Sequence, residues 1–268
     1  MLNYCQYFGF KDEPFSNEIS TKNLLKLPAI TAVKERFDYV LNLGGVLLIT
    51  GDVGSGKSTS IRYSEGHYHA SQNIFINILC TTGSIIELYR QLCWGLDIDM
   101  RSGSKAFTLK TLKNTIKDIV TTKKQKIIIV LDESHLLRTD ILFELHTLLQ
   151  FDNDSKNYIT LVFVGLTNLI DKLTYRTSAA LASRIISKTH LTSLNREQIQ
   201  LYLTHHLKVV GFNKELFQDT AITAIHQGSS GILRKINSLS IGALVAAATE
   251  KQDQVSAEHV RIASTELI

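Results

Sequence analysis

The chain has 268 residues, 44% of them hydrophobic and 20% charged, the balance of a globular protein that buries a core. This composition excludes a disordered tail, a collagen-like fibre and a disulfide scaffold. Lys and Arg total 29 against 25 Asp and Glu, a net charge of +4 that permits an anionic partner without requiring one.

In chain order, both prolines (Pro14 and Pro28) fall in the first thirty residues, so residues 1–27 are expected to form an irregular arm ahead of a compact body. Hydrophobic spacing then predicts a helix over 29–43, a buried strand over 45–50, a glycine-rich turn and a helix from about 57. A strand at 73–79 and helices at 84–96 and 109–120 follow. Residues 127–131, Ile-Ile-Ile-Val-Leu, form a continuous β-branched run, the pattern of a strand covered on both faces. A helix at 136–150 and strands at 160–164 and 185–189 complete an alternation that implies a mostly parallel α/β sheet. Beyond Leu194 the strand signal stops. Asn195 with Gln198 makes a capping box, and helices are expected at 196–209, 213–224, 232–248 and 256–265. The division is an arm (1–27), an α/β domain (28–194) and a small all-α domain (195–268).

Three cysteines, Cys5, Cys80 and Cys93, show no metal-ligand spacing, so a reducing compartment is expected. No apolar run reaches the roughly 20 residues a bilayer requires, and the N-terminus lacks the order of a signal peptide. A cytoplasmic protein without a membrane partner is the expectation. Trp94 and the Tyr and Phe residues are assigned to the core.

Gly51-Asp52-Val53-Gly54-Ser55-Gly56-Lys57-Ser58 fits GxxxxGK[ST] between a buried strand and a helix. Glycines let backbone N–H groups curl around a phosphate that faces the positive end of the helix. Lys57 then reaches the outer phosphates and the Ser58 hydroxyl meets Mg²⁺. Gly51, Val53, Gly54, Ser55, Gly56, Lys57, Ser58 and Thr59 are the candidate nucleotide contacts. The strand at 127–131 ends in Asp132-Glu133, the first acid placed to hold the metal with Ser58, the second to orient and deprotonate water. Together these features specify hydrolysis of ATP or GTP with Mg²⁺. His135 reads as a residue at the start of a helix without chemistry, with reporting on nucleotide state as the other reading.

The acid pair, the strand at 160–164, Arg184 before the last strand and the helical tail resemble the AAA+ ATPases. The arm Phe8-Gly9-Phe10 with Pro14-Phe15, the motif Gly231-Ile232-Leu233-Arg234-Lys235-Ile236-Asn237 and the ending at 255–260 are similar to the ExeA-like branch, over nearly the whole chain. The resemblance implies a P-loop parallel-sheet sandwich with a helical lid, ATP and Mg²⁺ as ligands, and assembly into a ring or filament. It implies that Arg234 contacts the γ-phosphate as the lid's sensor. It implies that Arg184 is a finger acting on a neighbouring subunit's nucleotide, since a fixed guanidinium stabilises charge on a transferring phosphoryl group. Where the family carries a polar sensor after the strand, this chain has Leu166. The sensor is Thr167, Asn168 or absent.

Two branches share this architecture. TniB-, TnsC- and IstB-type helpers assemble on double-stranded DNA and recruit a DDE transposase, with a target-selection protein in some systems. ExeA/GspA proteins energise a secretion pore and are longer, with a membrane anchor. The end of this chain at the lid and its mild basic excess favour the DNA helper. A replication initiator is the third reading, by fold analogy. Sequence-neutral phosphate contacts are expected from Thr81 and Thr82 in one loop and Arg101, Ser102 and Lys105 in another, although both also read as plain solvated loops. Lys110, Lys113 and Lys117 share one helix face that would extend such a track, or simply be solvated.

Overall fold

The computed structural model describes residues 4–16, 19–99 and 103–266. The chain forms two compact units: residues 28–51 with 57–191, and residues 1–27 with 52–56 and 192–268. A short helix α1 (Tyr4–Phe8) opens the second of these.

The first unit is a sheet with helices. It runs α2 (Pro28–Leu43), β1 (Gly45–Gly51), α3 (Lys57–Glu65), β2 (Asn73–Leu79), α4 (Ile85–Gly95), α5 (Lys105–Asp118), β3 (Lys126–Asp132), α6 (Thr139–Leu145), β4 (Ile159–Gly165), α7 (Asn168–Thr174), α8 (Ala179–Ala182) and β5 (Ile185–Leu191). All strand pairs are parallel and the order is β2-β3-β4-β1-β5. The unbroken apolar runs follow from double-sided cover. On β1, Val46 and Leu48 join one core with Ile127, Ile129, Leu131, Leu161 and Phe163. Leu47 and Ile49 join another with Ile128, Val130, Val162, Val164 and the α2 residues Val33, Phe37 and Val40. Alternate residues point to opposite faces, so a strand with helices on both must be apolar at every position.

The helical stretch expected over 136–150 is interrupted: a 3₁₀ turn at Ser134–Leu136, α6, then a second 3₁₀ turn at His146–Leu149. Trp94 is a correction. It is 66% exposed on α4, because Leu88, Tyr89, Leu92 and Cys93 already form the buried face of that helix.

The second unit is helical: α9 (Arg196–Val209), α10 (Asp219–Ser229), α11 (Leu233–Thr249) and α12 (Ala257–Glu266), with the arm packed on it. The Asn195–Gln198 capping box forms as expected. The helix expected from 213 starts instead at Asp219, since Phe217 pairs with Val255 in an isolated parallel bridge, with Gln218 N–H and the Leu216 carbonyl both bonded to Val255. Two of the arm's aromatics, Phe10 and Phe15, lie against α9 and its exit. Phe10 meets Phe212 edge-on at 5.5 Å, and Phe15 stacks on His206 at 5.3 Å. The His205 ring also contacts the Asn23 carbonyl at 2.6 Å.

Candidate nucleotide site

In the sheet unit, β1 delivers the chain to Gly51 and α3 resumes at Lys57. Lys57 is buried, at 6% exposure, and its ammonium donates to the Gly51 carbonyl at 2.9 Å. A cationic side chain at the start of α3 suits a polyanionic ligand at this loop. One residue on, the Ser58 hydroxyl donates to Asp132 Oδ2 at 3.1 Å, which joins the start of α3 to the end of β3. The β3 register places Asp132 opposite Leu79 of β2, and Cys80 N–H donates to the Asp132 carbonyl at 2.8 Å. Burial, with the Asp132 and Glu133 charges nearby, pushes the Cys80 thiol up to about 12, so it stays protonated and inert.

Glu133 follows in the left-handed region, φ 53° and ψ 31°, an unusual conformation for a residue with a side chain. Its N–H donates to Asp132 Oδ1 at 2.9 Å, and its side chain remains 40% exposed. Ser134 then sinks its hydroxyl onto the Val164 carbonyl at 2.8 Å, fastening the turn to the end of β4. Leu166 is half-buried there, while Thr167 and Asn168 are exposed at the start of α7.

In the helical unit, residues 52–56 form the loop itself. Ser55 N–H donates to the Asp52 carbonyl at 3.2 Å. Gly54 and Gly56 have φ of +80° and +96°, values that side chains rarely adopt. Gly54 is also tightly approached: its carbonyl accepts the Arg234 N–H at 3.1 Å, and a Cβ there would stand 2.6 Å from Arg234 Cβ. The Arg234 side chain itself is exposed. Ser55 Oγ is buried without a hydrogen-bond partner. An orphaned buried hydroxyl inside a glycine cradle fits a ligand rich in acceptor oxygens. Val53 is exposed and Thr59 half-buried on α3.

The structure thus brings Lys57, Ser58, Asp132 and Glu133 together on the sheet unit and Gly54, Ser55 and Arg234 together on the helical one. Arg184 lies immediately before β5, where its guanidinium grips Asp154 through both carboxylate oxygens at 2.7 and 2.6 Å. Thr81 and Thr82 are exposed between β2 and α4. Lys105 is engaged by Glu144 at 2.8 Å, Lys113 by the Gln150 carbonyl and Lys117 by Asp152. Arg101 and Ser102 lie outside the described residues. The contact of His135 with Glu133, Nδ1 to Oε2 at 3.3 Å, was not anticipated. The only signal for it was the placement of a histidine two residues after the acid.

A five-stranded parallel sheet in this order, with a phosphate loop after β1, an acid pair ending β3 and a helical C-terminal part, is the AAA+ P-loop ATPase fold. The AAA domain family profile matches residues 41–173. General secretion pathway protein A of Aeromonas hydrophila is 28% identical over 271 residues, covering 98% of this chain and 48% of the relative. The chain therefore spans about half the length of that curated relative. Among solved structures, Cdc6p from Pyrobaculum aerophilum superposes with a TM-score of 0.72 at 19% identity, covering 95% of this chain and 70% of that one. ORC1 of Aeropyrum pernix, in complex with DNA, gives 0.65 at 18% identity, covering 91% and 67%. Among the described residues, no helix is long and apolar enough to cross a membrane.

Proposed function

We propose that the chain binds and hydrolyses ATP with Mg²⁺, and that the nucleotide drives its self-assembly on double-stranded DNA without sequence preference. The observation that carries the chemistry is the Ser58–Asp132 contact at 3.1 Å beside Glu133. Ser58 and Asp132 would hold the metal, which when bound offsets charge on the phosphates. Two protein ligands suffice, because Mg²⁺ commonly keeps several waters and takes phosphate oxygens. Loop N–H groups of residues 52–56 and the Lys57 ammonium bind the phosphate oxygens. Glu133 accepts a proton from the attacking water. Arg234 senses the terminal phosphate from the lid, and Arg184 acts on a neighbouring copy's nucleotide.

The DNA reading is supported by the net charge of +4 and by the exposed hydroxyls of Thr81 and Thr82, which follow the strand that pairs with β3. In this reading the assembly recruits a DDE transposase, and a target-selection protein directs it. Its test is retention of duplex DNA with a non-hydrolysable ATP analogue across a salt series, with electron microscopy of the product. Binding should appear only with nucleotide, fall steeply with salt and be lost in Lys57→Ala. The Glu133→Gln variant should keep ATP and trap the assembled state. No nucleotide-dependent retention at low salt refutes DNA binding. A second reading, an ATPase serving a secretion apparatus, is favoured by the 28% identity to the secretion pathway relative over 98% of this chain. It would show as nucleotide-dependent capture of an envelope component with no affinity for DNA.

A further inference from the structure

Phosphate and metal binding leave one polar group at the acid pair unexplained. His135 Nδ1 is buried and makes no aligned hydrogen bond, yet it stands 3.3 Å from Glu133 Oε2, with the side chain 12% exposed. A buried ring nitrogen without a partner carries a desolvation cost, which a well-aligned contact would remove. Hydrogen bonds of catalytic groups are often long or misaligned before the ligand arrives, and they tighten in the loaded complex.

The histidine backbone is fixed on three sides. Lys172 of α7 donates to the His135 carbonyl at 2.5 Å and to the Leu137 carbonyl at 2.9 Å. Gly165, the last residue of β4, packs so close that a Cβ would lie 3.1 Å from His135 N. Ser134 is tied to Val164 by its buried hydroxyl. The turn carrying Glu133, the end of β4 and α7 therefore form one braced block. His135 supplies the polar atom beside the Glu133 carboxylate.

We propose that His135 is the positioning residue for Glu133, holding its carboxylate in the orientation that takes a proton from water. This rests on the reading of Glu133 as the hydrolytic base. The Glu133 carboxylate is half-exposed, and without a partner it would sample many rotamers. Nδ1–H donating to Oε2 selects one of them, and the Lys172 and Gly165 contacts keep the donor from following the carboxylate away.

The test uses the full chain and three variants. His135→Ala should lower kcat at least about tenfold while leaving KM and nucleotide affinity unchanged. His135→Asn places its amide nitrogen at the same remove from Cβ as Nδ1 and should recover most of the rate. His135→Gln, whose amide matches the far nitrogen, should not. Wild-type kcat in His135→Ala, or equal impairment in the Asn and Gln variants, overturns the proposal. A readout independent of turnover comes from ¹⁵N spectra, in which the His135 Nδ1 resonance should move on Glu133→Gln. An unmoved resonance also overturns it, whereas a moved one in a protein that hydrolyses no nucleotide faults the hydrolysis reading alone.

Discussion

Alanine at Gly54 separates what the phosphate loop requires from its backbone and what it requires from its neighbour. At φ +80° a side chain costs about 1–2 kcal/mol in the left-handed region. The new Cβ would also stand 2.6 Å from Arg234 Cβ, which is the root of a side chain and cannot swing aside. Relief requires α11 to draw back, losing the Arg234 N–H bond to the Gly54 carbonyl, worth about 1 kcal/mol. If the loop geometry seen here is the one that binds phosphate, the total of about 2–3 kcal/mol falls on nucleotide affinity, weakening it roughly 30- to 150-fold. Gly9→Ala is the control. Its φ is +73°, yet nothing lies within 4 Å of the added carbon, so it should cost stability and leave affinity unchanged. Titration calorimetry with an ATP analogue reads both variants. Wild-type affinity in Gly54→Ala, or an equal loss in Gly9→Ala, refutes the reasoning.

Other residues give sharp outcomes. Arg184→Ala should depress hydrolysis by the assembled protein while sparing the ATP affinity of the monomer, and Asp154→Asn, which releases the guanidinium, should not mimic it. Equal hydrolysis by monomer and oligomer would remove the finger assignment. His206 is 4% exposed, and burial, aided by the His205 charge, pulls its ring down to about 4 from 6.5. The unfolded chain takes up this proton first as pH falls, so stability present above about 6.5 should drain away towards pH 4, by up to about 3 kcal/mol. Urea unfolding at pH 7 and pH 4.5 should show that loss in the wild type and a smaller one in His206→Phe. Phe37 is fully buried beneath β1, and Phe37→Ala should cost about 3–5 kcal/mol, read as a lowered denaturation midpoint.

Much of the site was legible because its chemistry is local. Lys57 and Ser58 follow the glycine turn directly, and Asp132 and Glu133 end a strand whose apolar run announces its burial on both faces. Arg184 could be placed before β5, but its capture by Asp154 could not, because the partner lies thirty residues away in another turn. Lys105 reads as a free cation in the sequence and meets Glu144 only in the fold. Trp94 shows the same limit from the other side. Its hydrophobicity argues for burial, while the α4 register leaves it facing out.

Sequence alone determined which segments become doubly covered strands, where the phosphate loop lies and which acids stand at the end of β3, since each depends on residues adjacent in the chain. Tertiary structure decided the strand order, the seating of the arm's Phe15 on His206 and the meeting of Glu133 with His135 under the brace of Lys172 and Gly165. These depend on packing free energy shared among distant segments, and one-dimensional spacing carries no record of which of several compatible surfaces will meet.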